Sequence, residues 1–314
     1  MYKRQTDGTR SLVLRRPPLA HVQASAHDMS REFRVISALS GTTVPVPAAE
    51  LLCPDPDVLG APFYLMEFSP GQAYRRRSDV VELGPQTLRR LVFDLVDTLV
   101  TLHAVDPAQV GLADLGKAAG FNARQLRTWR RQLDGVRSRD VPGIDELADR
   151  LDRDVPDGSG GLVHGDYRLD NVLIDGPAGS ERITAVLDWE MSTLGDPMSD
   201  LALLLLYADQ PLLLGDDGRP TPISTVPGHP TAAEVVARYA ERSGRDVSNL
   251  RWYSAFAAFK LAVVLEGVHF RFQHGATLGS GFEGIADLVP PLVQRGLRTL
   301  VAPNTSAPPT VPQE

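Results

Sequence analysis

Between residues 162 and 200 the chain reads LVHGDYRLDNVLID and, after a turn, AVLDWEMSTLGDPMSDLA, with its chemistry-bearing groups at the ends of short apolar runs. The runs at 162–164, 172–174 and 183–187 are β-like. The turn Asp175-Gly176-Pro177-Ala178-Gly179 is rich in chain-reversing residues, so the second and third runs form a hairpin that brings Asn171 and Asp188 together. An amide oxygen beside a carboxylate, both just outside a sheet, suits a hard cation that takes oxygen ligands and keeps several waters. That description fits Mg2+ better than zinc. Upstream lies a second carboxylate, Asp166, preceded by His164 and Gly165.

The spacing H-x-D-x-x-x-x-N, followed by a hairpin and a further Asp, is how kinases set a base and metal ligands around a transferred phosphoryl group. Two features depart from the protein-kinase pattern: Gly165 stands where that motif has Arg, and Asp188 is followed by Trp189-Glu190 instead of Phe-Gly. The combination HGDxxxxN with LDWE…GDPxxDLA resembles the aminoglycoside phosphotransferase and choline kinase-like family of small-molecule kinases, and within it the group also found fused to acyl-CoA dehydrogenases. Were Asp166, Asn171 and Asp188 plain turn and cap residues, independent spacings would have to coincide.

The resemblance implies an α+β, bilobal, protein-kinase-like fold in which a small antiparallel β lobe with one helix precedes a larger, mostly helical lobe. It also implies roles. Asp166 orients or deprotonates an acceptor hydroxyl, and Asn171 and Asp188 bind a magnesium ion that bridges the phosphates of ATP, the co-substrate. His164 holds the catalytic loop through hydrogen bonds, and Asp200 ties that loop to the following helix. Asp196 before Pro197 is an N-cap signature in its own right.

Composition is ordinary for a globular protein of 314 residues, 43% hydrophobic and 23% charged. A net charge of −7 argues against nucleic-acid or anionic-membrane partners, which need a basic face. Lysine is confined to Lys3, Lys117 and Lys260, a compositional bias more than a functional one. The single cysteine, Cys53, excludes an intramolecular disulfide and a cysteine-based zinc site. With no signal-peptide pattern or long apolar span, a cytoplasmic enzyme is the expectation.

In chain order, SLVLR at 11–15 reads as a strand entered from the Asp7-Gly8 turn, with residues 1–6 as its partner. By resemblance Arg15 meets the nucleotide phosphates and Glu32 pairs with it, although alone Glu32 reads as a solvated helix charge. Glu32 lies on a helix signalled by Ser25 and Asp28 at capping-box spacing, the stripe Met29, Phe33, Ile36 and Leu39, and Gly41 as the stop. Strands are expected at 48–53 and 63–68, joined by the turn-rich PDPDVLGAP. Met66-Glu67-Phe68 resembles the hinge whose backbone binds adenine, which makes Glu67 and Phe68 nucleotide-binding candidates; otherwise this is a plain sheet-edge strand. The lobe boundary falls there, giving residues 1–68 and 69–303, then a disordered tail at 304–314. Family members precede SLVLR with a further strand and a Gly- or Ser-rich turn, and the first lobe is expected to lack both.

Beyond residue 69 the stripe Leu88, Leu91, Val92, Leu95, Leu99 and Leu102 forms one helix face, ending at His103, a helix-end residue favourable to the dipole. Helices are expected at 122–133, 144–151, 197–208, 232–243, 250–272 and 282–301. The Pro/Gly-rich connection at 209–230 reads as a cover over the acceptor. Relatives use the 250–272 region for the acceptor, but Tyr253, Lys260, Glu266, His269 and Arg271 each read alone as solvated helix positions. The resemblance implies a hydroxyl acceptor: the fused relatives suggest a hydroxyacyl group or acyl-CoA, and with it a link to an acyl-CoA dehydrogenase, while the wider family suggests amino sugars, choline-like alcohols or other small alcohols. Two other functions stay open: a non-catalytic nucleotide- or partner-binding relic, and a metal-dependent hydrolase using His164, Asp166 and Asp188, for which the ligand cluster is thin.

Overall fold

Short runs early in the chain pair into one antiparallel sheet of four strands, β1 (Tyr2–Thr6), β2 (Ser11–Arg15), β3 (Ala49–Cys53) and β4 (Phe63–Glu67), in the order β1-β2-β4-β3. The computed structural model describes residues 10–17, 28–210, 222–277 and 282–301, together with the backbone of 2–6. The turn at Asp7-Gly8, Ser25, half of the 209–230 connection and the tail therefore lie outside the described residues.

Helix α1 (Met29–Leu39) starts at Asp28, whose carboxylate accepts from the N–H groups of Ser30 and Arg31, both at 3.0 Å. It buries Met29, Val35, Ile36 and Leu39 and, among them, Glu32. The helix stops at Ser40, in right-handed geometry with its hydroxyl on the Ile36 carbonyl, so Gly41 is not the left-handed cap expected of it. PDPDVLGAP holds a single helical turn, α2 (Pro56–Leu59), capped by Asp55 and closed by Gly60 at φ +77°.

The rest is helical: α3 (Arg77–Glu82), α4 (Pro85–His103), α5 (Phe121–Val136), α6 (Ile144–Arg153), α7 (Pro197–Asp209), α8 (Ala232–Ser243), α9 (Leu250–Gln273) and α10 (Val289–Val301). Between α6 and α7 lie β5 (Gly161–Val163), β6 (Val172–Asp175), β7 (Arg182–Val186) and β8 (Thr193–Gly195). The hairpin β6–β7 forms with Val172 opposite Val186, and β5 pairs with β8, a strand too short for alternation to reveal. All six residues of the α4 stripe are buried. The expected helix at 282–301 begins instead as a 3-10 turn, Ile285–Leu288, before α10.

Residues 1–117 and 160–245 form one compact unit, and residues 118–159 and 246–314 another. In the first, backbone bonds stitch the segment after β4 to the hairpin. Gln72 and Ile174 exchange N–H···O bonds at 2.9 and 3.0 Å, and on the other strand Val186 donates to the Pro45 carbonyl at 2.8 Å. The second unit packs around α9. There Glu266, 1% exposed, holds the Arg139 guanidinium, Tyr253 accepts from Asn122 at 2.9 Å, and Lys260 lies over the Trp129 ring. Tyr253 and Glu266 are thus buried tertiary links, not the solvated positions that their polarity suggests.

Candidate active site

The loop between β5 and β6, which carries Asp166, is fixed by one buried carboxylate. Asp200, in the first turn of α7, accepts from the His164 N–H at 2.7 Å, the Gly165 N–H at 2.8 Å and His103 Nε2 at 3.2 Å. Burial works against the charged Asp200, but hydrogen bonds from His103 and the loop amides outweigh it and hold its pKa below the ordinary carboxylate value. The His103 pKa is pushed down by burial, so the imidazole is neutral, donating Nε2–H to Asp200 while Nδ1 meets the Tyr239 hydroxyl at 2.8 Å. His103 is therefore a buried structural node, not a cation on the helix dipole. Asp196 accepts from the Met198 N–H at 3.0 Å and caps the same helix, with Pro197 next.

His164 is held in one tautomer. Its Nδ1 accepts from the Asp166 N–H at 3.2 Å, which leaves Nε2 to donate to the Leu187 carbonyl at 2.9 Å. Gly165 sits at φ +85°, where an added Cβ would lie 2.7 Å from the Met191 carbonyl oxygen. A side chain at this position, such as the Arg of protein kinases, is excluded by that contact. Trp189 packs its fully buried ring 4.7 Å from His164 and donates to the Val186 carbonyl.

Asp166 is gripped at both carboxylate oxygens. Asn171 Nδ2 donates to Oδ2 at 3.0 Å and to the Asp166 carbonyl at 2.8 Å, and the Tyr207 hydroxyl donates to Oδ1 at 2.7 Å. With its nitrogen committed to Asp166, Asn171 has only its amide oxygen left for a ligand. Its carbonyl accepts from the Leu187 N–H at 2.8 Å, which sets it beside the residue preceding Asp188. Asp188 has φ +66° and ψ +60°, the only positive φ outside glycine among the described residues.

Arg15, at the end of β2, reaches three carboxylates: Nε to Glu32 at 3.1 Å, and one terminal nitrogen to Asp188 at 2.6 Å and to Glu190 at 3.5 Å. The Glu32 pKa is raised by burial, with Arg15 opposing and Asp188 adding to the rise. The structure thus brings Arg15, Glu32 and Asp188 into one cluster. Glu190 joins it unforeseen, and its only signal was its place in Asp188-Trp189-Glu190. At the supposed hinge the N–H groups of Glu67 and Phe68 are already spent, on the carbonyls of Ala48 at 2.8 Å and Ser11 at 3.0 Å.

A cavity of about 360 Å3 lies beside the loop, walled by Val92, Leu95, Leu204, Ile223 and Val235 and carrying the polar groups of Arg75, Arg168, Asp170 and Tyr207. Ile223, Ser224 and His229, in the described part of the 209–230 connection, line it too. Tyr207 was hidden because a tyrosine inside LALLLLYA reads as core.

The site thus holds a carboxylate gripped at both oxygens, a cluster of three carboxylates on Arg15, and a cavity close to the loop. The chain belongs to the phosphotransferase enzyme family, whose model matches residues 1–253. It is 34% identical over 306 residues to acyl-CoA dehydrogenase family member 11 of Rattus norvegicus, a match covering 96% of this chain and 39% of that protein. To family member 10 of Mus musculus it is 37% identical over 272 residues, covering 85% of this chain and 25% of that protein. The chain therefore spans about two fifths or less of these relatives. A crystal structure from Ralstonia eutropha, provisionally assigned as an aminoglycoside phosphotransferase, superposes with a TM-score of 0.79 at 28% identity, over 96% of this chain and 92% of that one. The fold is the protein-kinase-like α+β fold expected from the motif.

Proposed function

We propose that this protein transfers the γ-phosphoryl group of ATP to the hydroxyl of an acceptor with an apolar portion, with residues 1–68 as its nucleotide-binding lobe and residues 69–303 carrying the base and acceptor site. The observation that supports this best is the double grip on Asp166, which fixes one carboxylate beside a cavity large enough for a small molecule. In this reading Asp166 orients the acceptor hydroxyl and takes its proton as the oxygen attacks the γ-phosphorus. Arg15, braced by buried Glu32, meets the phosphates. Glu67 and Phe68, at the end of β4, would flank the adenine ring with their N–H groups engaged in backbone bonds.

The available donors fit Mg2+. Asn171 Oδ1, Asp188 and Glu190 are all oxygen donors, and among the described residues no cluster of three or more His, Cys, Asp and Glu forms a closed cage. An ion that keeps its waters and is completed by phosphates needs no such cage. When bound, Mg2+ would neutralise charge on the phosphates; Asn171 and Asp188 would hold it.

The cavity supports a choice of acceptor. Its walls are largely aliphatic, and its charged groups are Arg75, Arg168, Asp170 and Asp209, with Arg168 paired to Asp170. A hydroxyacyl chain finds an apolar wall there, and the Arg75 guanidinium suits an anionic end. The names of the rat and mouse relatives support the same class, a hydroxyacyl group or acyl-CoA, and a functional link to an acyl-CoA dehydrogenase. None of the described helices is long and apolar enough to cross a membrane, and cytoplasmic work on a soluble metabolite fits. ATP consumption measured against hydroxyacyl-CoA, free hydroxy acid, choline and an aminoglycoside tests the reading. Turnover confined to the last two, or ATP turnover unaffected by Asp166→Asn, would defeat it.

A further inference from the structure

The Tyr207 hydroxyl stands where an acceptor hydroxyl has to stand. A kinase acceptor presents its O–H to the catalytic carboxylate, and here the O–H presented to Asp166 Oδ1, at 2.7 Å, belongs to the protein. Tyr207 lies in the last turn of α7, on the wall of the 360 Å3 cavity, and Asp166 is not among the residues lining that cavity. The phenol ring therefore separates the base from the space that an acceptor enters. Its other face is held by the Arg168 guanidinium, 5.0 Å from the ring centroid, and Arg168 is itself paired with Asp170. The hydroxyl is a poor nucleophile in this setting, because burial and the adjacent Asp166 carboxylate push its pKa far above that of a free phenol.

We propose that Tyr207 is a placeholder on Asp166: its hydroxyl keeps water off the base until an acceptor hydroxyl displaces it, so that ATP is not hydrolysed while the acceptor site is empty. This inference rests on the kinase reading. The reaction it suppresses is a balanced one. The oxygen of a water bonds to the γ-phosphorus, the bond from phosphorus to the bridging oxygen breaks, ADP leaves with the electron pair, and the water's proton passes to Asp166. With Tyr207 in place, Oδ1 already has a donor in the position that water would take. An acceptor that reaches Oδ1 must push the phenol aside, so Tyr207 is a positioning residue that makes turnover conditional on occupancy of the cavity.

The test is acceptor-free hydrolysis of Mg-ATP by the wild type, Tyr207→Phe and the double variant Tyr207→Phe/Asp166→Asn, with ATP affinity measured by calorimetry. Phe keeps the ring and its stacking on Arg168, and a second variant, Tyr207→Leu, covers the case in which Phe fails to fold. Release of phosphate by Tyr207→Phe should exceed wild type at least tenfold, well within the ~100-fold or more that a positioned base contributes. Affinity for ATP should be unchanged, and the gain should vanish in the double variant; a merely structural loss would lower hydrolysis. Equal or lower hydrolysis in Tyr207→Phe, or a gain that survives Asp166→Asn, overturns the placeholder role, and so does phosphate found on Tyr207 by mass spectrometry of the wild type after incubation with ATP. If the wild type still phosphorylates an acceptor in those cases, the kinase reading stands alone; if no variant consumes ATP with or without acceptor, both fall.

Discussion

Removing the Asp200 carboxylate puts the largest single demand on the fold. The side chain is wholly buried and collects three donors, the N–H groups of His164 and Gly165 and Nε2 of His103. In Asp200→Ala each donor is left in a dry interior, at roughly 1 kcal/mol or more apiece, which sets a floor near 3 kcal/mol. Hydrogen bonds to a charged acceptor contribute about 1.5–3 kcal/mol each, so ~4 kcal/mol is expected. With a urea slope of about 2 kcal/mol per M, the unfolding midpoint should fall by about 2 M, followed by circular dichroism at pH 7. Asp200→Asn should lose less, because one oxygen still accepts while the new NH2 faces a donor. The catalytic effect should come with the structural one: the loop that carries Asp166 loses its anchor, and kcat should drop more than KM for ATP changes. A stability loss below about 1 kcal/mol for Asp200→Ala would refute the view that this carboxylate anchors the catalytic loop.

Asp166→Asn should cut phosphoryl transfer by ~100-fold or more while leaving the melting temperature within a few degrees, read by a coupled ADP assay and calorimetry. Asp188→Asn keeps a residue type that tolerates left-handed backbone, and it should abolish the Mg2+ dependence of ATP binding in titrations with and without the ion. Gly165→Ala should destabilise by about 1–3 kcal/mol and suppress turnover, since its Cβ meets the Met191 carbonyl at 2.7 Å and its backbone is left-handed; unfolding in urea reads this directly. The pH dependence follows from two depressed pKa values, those of His103 and Asp200. An unfolded His103 takes up a proton below its ordinary value near 6.5, while the folded imidazole resists. Stability is therefore full above about pH 6.5 and declines as pH falls below it, with Asp200 adding a further loss below about pH 4. The limb between pH 6.5 and 5 should shrink in His103→Gln, leaving the part due to His229, whose pKa burial also lowers, measured as melting temperature against pH.

The groups legible in the sequence were those whose partners are close in the chain. Asp166 and Asn171 meet across one loop, and Asn171 and Asp188 across one hairpin, so spacing alone set them near each other. Helix faces were legible because burial repeats with the helical period, as along α4. What escaped depends on distant partners. Tyr207 meets Asp166 from 41 residues away, and His103 meets Asp200 from 97 away. Neither residue type announces such a role: a tyrosine in an apolar helix reads as packing, and a histidine at a helix end reads as a solvated cation. Glu32 shows the opposite case, a charge on a helix that looked exposed by polarity and is buried because Arg15 arrives from another strand. The strand Thr193–Gly195 is too short to carry any pattern; its existence follows from pairing with Gly161–Val163.

The stitching of the hairpin has a consequence for motion. Its two strands are tied, through Ile174 to Gln72 and through Val186 to Pro45, to segments that flank β3 and β4. Thr184 adds a hydroxyl bond to the Pro70 carbonyl at 3.0 Å, and Gly71 lies so close to Ile174 that an added Cβ would sit 3.0 Å from its carbonyl oxygen. The segment after β4, where a protein of this fold would be expected to flex, is thus a third strand-like layer on the piece that carries Asn171 and Asp188. Amide hydrogen exchange would see this as cooperativity: Gln72, Ile174 and Val186 should exchange with deuterium at a common rate, through one opening event that frees them together. A nucleotide that draws the first sheet inward would then carry Asn171 and Asp188 with it as one body.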